Sequence, residues 1–276
     1  MGDCRFTEAV ASVVRTQLSL IKGLQGSALI LSVLVTAIQV QAGPLHDAVR
    51  AKDVTAIDGL LADGANIDET DYFVGTALHV AVAQGDEVTA GALIKFGANI
   101  EAVSELRGTR ALHMAADFND LKILALLLDH GADPESRDAD GRTPLFQAAL
   151  RGNTAAAELL LERGADVDAV ERSYRLTPLQ QAAENGNIAT VKLLLQYGAE
   201  INVLDSRGFS ALSMAAQLQS YTNVGDARLI ELLAAEGADL QLRNEFGQTP
   251  REYAASRNGS TWKKIADALL RLESSE

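Results

Sequence analysis

Residues 140–166 read DGRTPLFQAALRGNTAAAELLLERGAD, and this stretch decides the fold. Thr143-Pro144 is helix-start chemistry: the hydroxyl can accept from the free amides of a first turn, and proline suits the first helical position. Leu145 and the small Ala148 fall on one helical face. Gly152 can take the left-handed conformation that ends a helix tightly. Leu160-Leu161 gives a second helix an apolar seam, and Gly164-Ala165 closes it. The unit is two short helices and a polar connection.

The unit recurs. Gly-Ala pairs begin at Gly64, Gly97, Gly131, Gly164, Gly198 and Gly237, with spacings of 33, 34, 33, 34 and 39. Leu45, Leu78, Leu112, Leu145, Leu179 and Leu212 keep step at 33, 34, 33, 34 and 33. Each leucine is followed three residues later by alanine: Ala48, Ala81, Ala115, Ala148, Ala182 and Ala215. Small residues on one face let helices of neighbouring units approach closely. A period in this range is the signature of a stacked repeat architecture.

Leu78-His79-x-Ala81, the glycine between helices, the Leu-Leu seam and Gly131-Ala132-Asp133 resemble the ankyrin repeat, as does Asp140-Gly141-Arg142-Thr143-Pro144. The resemblance implies an all-α ankyrin-repeat solenoid over residues 43–272, with six units, a partial capping unit at 247–272 and a tail at 273–276. It further implies a protein-interaction module that uses its hairpin tips and first helices as a concave face. The sixth unit is longer, with 25 residues from Leu212 to Gly237 against 19 elsewhere. The extra residues fall between Ala216 and Leu229, as a partner-contacting loop or a tolerated surface insertion.

Residues 1–42 read as an export signal. Arg5, Arg15 and Lys22 precede an 11-residue apolar run, Ala28–Ile38, and Val40-Gln41-Ala42 supplies small residues at a cleavage site. The run is short of the ~20 residues that a spanning helix needs. Cleavage after Ala42 is expected, placing the protein in the periplasm or outside the cell. An uncleaved anchor is the alternative, and only then is membrane contact expected. Cys4 lies before this run, so the mature chain would carry no thiol. Exported proteins with this layout resemble ankyrin-like periplasmic proteins associated with peroxide defence. An immunity protein masking an exported toxin and a secreted effector are the other readings.

The composition and motifs narrow the classes of partner. A net charge of −13 makes nucleic acid and anionic membranes poor partners. Motifs for metals, phosphate loops or nucleophilic catalysis are missing from the sequence, so no enzyme activity, cofactor or small-molecule substrate is expected. His46, His79 and His113 recur with the repeat and therefore stack instead of converging on a metal. The resemblance gives them a loop-bracing role. Asp138 and Asp140 read as turn-shaping residues.

Aromatics make up only 5% of the chain, yet several fall on one expected strip. Beside the hairpin turns stand Tyr72, Phe73, Leu106, Arg107, Arg142, Tyr174, Arg175, Leu176, Arg207, Phe209 and Phe246; before the inter-helix turns stand Phe118 and Arg151. Aromatics and arginine dominate binding hot spots, so these residues are the candidate partner-binding surface. For Phe73 and Phe246, packing between hairpins is an equal reading. The expectation is a basic and aromatic face on an acidic body.

Overall fold

The computed structural model describes residues 43–71, 74–105, 107–217, 227–257 and 260–274. The segment 1–42, expected to be an export signal, and most of the insertion in the sixth unit lie outside these residues. Leu45–Glu276 is a compact unit with its own core. Its described residues form helices in pairs: α1 (Pro44–Arg50) with α2 (Val54–Ala62), α3 (Ala77–Ala83) with α4 (Glu87–Lys95), and α5 (Ala111–Phe118) with α6 (Leu121–Asp129). Then come α7 (Pro144–Arg151) with α8 (Thr154–Glu162), α9 (Pro178–Glu184) with α10 (Ile188–Gln196), and α11 (Ala211–Gln217) with α12 (Ala227–Ala235). The last pair is α13 (Pro250–Ala255) and α14 (Ser260–Glu273), so the seventh unit, expected to be partial, has both helices.

From α3 onward each helix packs on its pair mate, and neighbouring pairs pack through equivalent helices. The first helices form the row α3–α5–α7–α9–α11–α13, and the second helices form α4–α6–α8–α10. Leu45, Leu78, Leu112, Leu145, Leu179 and Leu212 are at most 2% exposed. Ala81, Ala115, Ala148, Ala182 and Ala215 are buried beside them. The core is therefore a strip that repeats along the chain. Burying each leucine contributes about 1.5–3 kcal/mol.

Local chemistry starts and stops the helices as the sequence indicates. Thr143 Oγ1 accepts from Phe146 N–H at 3.2 Å, and Thr177 Oγ1 from Gln180 N–H at 3.2 Å. Gly85, Asn119, Gly152 and Gly186 adopt φ of 64°, 56°, 73° and 71° at the inter-helix turns. In the first pair Lys52 takes this conformation, with φ 58°.

Three sets of polar bonds join neighbouring units. His46, His79 and His113 donate through Nε2 to the carbonyls of Gly75, Thr109 and Arg142, at 2.9, 3.1 and 3.0 Å. Gln180 fills the same position and donates to Phe209 O at 2.8 Å. At the hairpin tips Ala139, Arg172, Ser206 and Glu245 donate N–H bonds to the carbonyls of Arg107, Asp140, Tyr174 and Arg207, at 2.8–3.1 Å. Beyond the Gly-Ala corners, Asp68, Glu101, Glu135 and Asp168 each accept a backbone N–H from the following unit. Part of the protein's acidity is thus structural.

The histidines make stability depend on pH. Burial pushes the pKa values of His79 and His113 below the usual 6.5. Their Nδ1 atoms accept from Thr76 and Arg110 N–H, at 3.2 and 3.4 Å, which requires that nitrogen unprotonated. The neutral ring's stabilising contribution is complete above about pH 6.5 and is lost as pH falls through the lower folded pKa values. Gln180 makes both equivalent bonds without titrating. The double variant His79→Gln/His113→Gln is therefore expected to lose less melting temperature between pH 7 and pH 5 than the wild type. Melts at the two pH values, followed by circular dichroism, check this.

Candidate functional site

The hairpin tips and the first helices border a groove. Five tips place Arg107, Asp140, Tyr174, Arg207 and Phe246 immediately before the left-handed residue of the turn. The tip-to-tip N–H bonds hold this row in register. Buried side chains shape each turn from within. Asp138 Oδ1 accepts from Asp140 and Arg142 N–H at 2.9 and 2.8 Å, in the turn-shaping role expected of it. Asp205 Oδ1 accepts from Arg207 and Phe209 N–H at 2.9 and 2.8 Å. Glu171 accepts from Ser173, Tyr174 and Leu176 N–H, at 2.5, 2.6 and 3.2 Å. Burial alone would raise the Glu171 pKa; those three donors and the nearby Arg142 outweigh it and hold the carboxyl below its usual 4.5.

At the 74–118 end lies an apolar cleft of about 220 Å³, walled by Val74, Ala83, Met114 and the exposed Phe118, with Arg107 at its edge. A more polar trough of about 650 Å³ shares Arg107, Thr109 and Gln147 with it and continues past Asp140, Arg142 and Arg151 to Asn185. His113 borders the cleft, but both its ring nitrogens are hydrogen-bonded. Among the described residues, no group of three or more His, Cys, Asp or Glu is arranged to hold a metal ion. No described helix is long and apolar enough to cross a membrane.

The expected strip divides into exposed, buried and undescribed residues. Tyr72, Phe73 and Leu106 lie outside the described residues. Phe118, Tyr174 and Phe246 are exposed, at 54%, 49% and 68%. Leu176 and Phe209 are corrections: they are 6% and 4% exposed and belong to the core. Each directly precedes a helix-capping Thr or Ser, where an apolar residue turns inward to fix the entering chain. Phe209 also meets Tyr253 edge to face at 5.9 Å, and Tyr253 meets Trp262 at 6.1 Å.

Most of the arginines are neutralised by neighbours. Arg151 pairs with Asp117 at 2.6 Å, and that hydrogen bond raises its pKa. Gln147 also donates to Asp117. Arg142 pairs with Asp140 at 3.1 Å. Arg207 pairs with buried Asp205 at 2.8 Å and lies over the Tyr174 ring at 4.2 Å. Arg107 and Arg175 are exposed and make no side-chain bond with any described residue. The face, expected to be locally basic, is thus largely charge-compensated; of the five expected arginines, Arg107 and Arg175 have no ion pair among the described residues. Sequence reasoning missed Asp117 and Gln147; both lie on the first-helix face that carries Phe118 and Arg151, and their helical spacing was the available signal.

This geometry defines a stacked-repeat scaffold with a groove along its hairpin tips and first helices. A family model described as ankyrin repeats (3 copies) matches residues 45–138, 78–171, 132–205 and 168–225. These matches take in more than half of the chain, and the chain belongs to the ankyrin-repeat family. Human B-cell lymphoma 3 protein is 36% identical over 151 residues, covering 53% of this chain and 32% of that protein. Rattus norvegicus protein fem-1 homolog A is 42% identical over 71 residues, covering 21% of this chain and 11% of that protein. The chain spans a third or less of the length of these curated relatives. The ankyrin repeat domain of Bcl-3 superposes with a TM-score of 0.68 at 32% identity, covering 83% of this chain and 98% of that one. The human ASB11 ankyrin repeat domain gives 0.70 at 26% identity, covering 84% and 98%.

Glu171 is the support on which the Tyr174–Arg175 tip rests. Its stabilising contribution is present above about pH 4.5 and is lost as pH falls through the lower folded value. Replacing one acceptor oxygen by an amide should cost about 1–3 kcal/mol. Glu171→Gln is expected to melt lower than wild type at pH 7, with the difference narrowing at pH 3; parallel thermal melts provide the check.

Proposed function

We propose that this chain, a member of a family of protein–protein interaction modules, is an exported module that grips a partner protein along the groove between its hairpin tips and first helices. The observation carrying this reading is the apolar cleft lined by half-exposed Phe118 and by Arg107, whose side chain bonds no described residue. An aromatic anchor beside a free guanidinium is typical of hot-spot chemistry. Export to the periplasm is supported by the basic, apolar and small-residue order of residues 1–42. A role in protection against oxidative stress belongs to the same proposal and rests on the layout alone.

The test is a pull-down from the periplasm of the source cells with immobilised Gly43–Glu276, comparing wild type with Phe118→Ala/Arg107→Glu. The double variant is expected to capture its partner about tenfold less, since truncating a hot spot removes at least that much affinity. Its melting temperature should stay close to wild type, because both side chains are exposed. Unchanged capture would contradict the groove reading. Export is checked separately by N-terminal sequencing of the periplasmic protein, for which Gly43 is the expected first residue.

A further inference from the structure

Gly108, Gly141, Gly208 and Gly247 hold one position of their hairpins with φ of 61°, 76°, 78° and 71°. Arg175 holds it in the hairpin between α8 and α9, with φ 59°. A residue with a Cβ is disfavoured in that region, and such outliers gather where the surroundings hold a functional group in place. Here the surroundings do so. Tyr174 N–H is bonded to Glu171, Tyr174 O accepts from Ser206 N–H at 2.8 Å, and the Tyr174 ring lies under Arg207. The chain thus keeps a strained arginine where glycine would be unstrained, beside an aromatic ring already fixed in place, with its guanidinium exposed and unbonded to any described residue.

We propose that Arg175 and Tyr174 form an anion-reading contact for an acidic polypeptide segment of the partner, working with Arg107. The inference deepens the groove reading and rests on it. Arg107 and Arg175 stand two units apart. At roughly 8–10 Å per unit, and about 3.3 Å per residue of extended chain, carboxylates about five or six residues apart would reach both. Charge complementarity favours discrete carboxylates over a polyanion. The chain carries −13 overall, so a nucleic acid with one charge per ~1.7 Å would meet a repelling body along its length, whereas two spaced carboxylates need only these two guanidinium groups. A guanidinium also suits planar, bidentate pairing with a carboxylate.

The experiment is a selection of random nine-residue displayed peptides on the full chain, followed by fluorescence-anisotropy titration of the resynthesised winners. Asp or Glu is expected to be enriched at two positions about five or six apart. Binding of the winners should fall about tenfold with Arg175→Gly, while Arg175→Lys retains more of it. Arg175→Gly should melt no lower than wild type, and up to about 4 °C higher, because the strain is relieved. Winners without acidic residues, no winners, or equal binding to Arg175→Gly would overturn the proposal. A lower melting temperature for Arg175→Gly would overturn the claim that Arg175 is held against its backbone preference. If Arg175→Gly keeps the captured partner while Phe118→Ala/Arg107→Glu loses it, the anion contact alone fails. If both keep it, the groove reading fails too.

Discussion

A helix of seven residues paired with one of nine, as in α3 and α4, cannot bury apolar side chains on both of its flanks. Leu78, Ala81 and Leu93 become inaccessible because the pairs on either side cover them. That constraint, apolar faces closed only by neighbours, governs the rest of the molecule. It sets the period, since each unit must present the same face at the same place. It also explains why the polar bonds between units are so regular. Once leucine and alanine fix the spacing, a His or Gln at one helical position always meets the next hairpin's carbonyl.

The groove is a consequence of the same spacing. Hairpin tips are drawn together by one N–H bond per step, so side chains at the tips form an ordered row beside the first helices. Ordering brings compensation as well as opportunity. A carboxylate one unit away, or two residues away, reaches Arg151, Arg142 and Arg207 and neutralises them. On the proposed reading, recognition falls to the exposed Phe118 ring, to the Tyr174 ring that Arg207 fixes in place, and to the guanidinium groups of Arg107 and Arg175.

Much of this was legible in the sequence, because translation along the stack writes itself as a period. The leucine and alanine ladders, the inter-helix glycines and Asn119 all follow from spacing and backbone chemistry. Lys52 in a left-handed turn was not legible, since nothing about lysine announces that conformation. Hairpin positions are mostly solvated, so the sequence points Leu176 and Phe209 to the surface. Their place just before a capping hydroxyl was the overlooked sign that they turn inward. The pairing of Arg151 with Asp117 is hidden for a different reason: the partners are 34 residues apart and meet only after stacking.

If closure by neighbours is what holds the molecule together, the stack should tolerate loss of one full period. Deleting residues 143–176 joins Arg142 to Thr177-Pro178 in the register of Thr143-Pro144 and removes one helix pair. Circular dichroism of that protein, with a thermal melt, is the most direct measurement. The account predicts unchanged helicity per residue and one cooperative transition at a lower temperature. Loss of helical signal without a cooperative transition would contradict it, since that outcome belongs to a single core that no unit can leave.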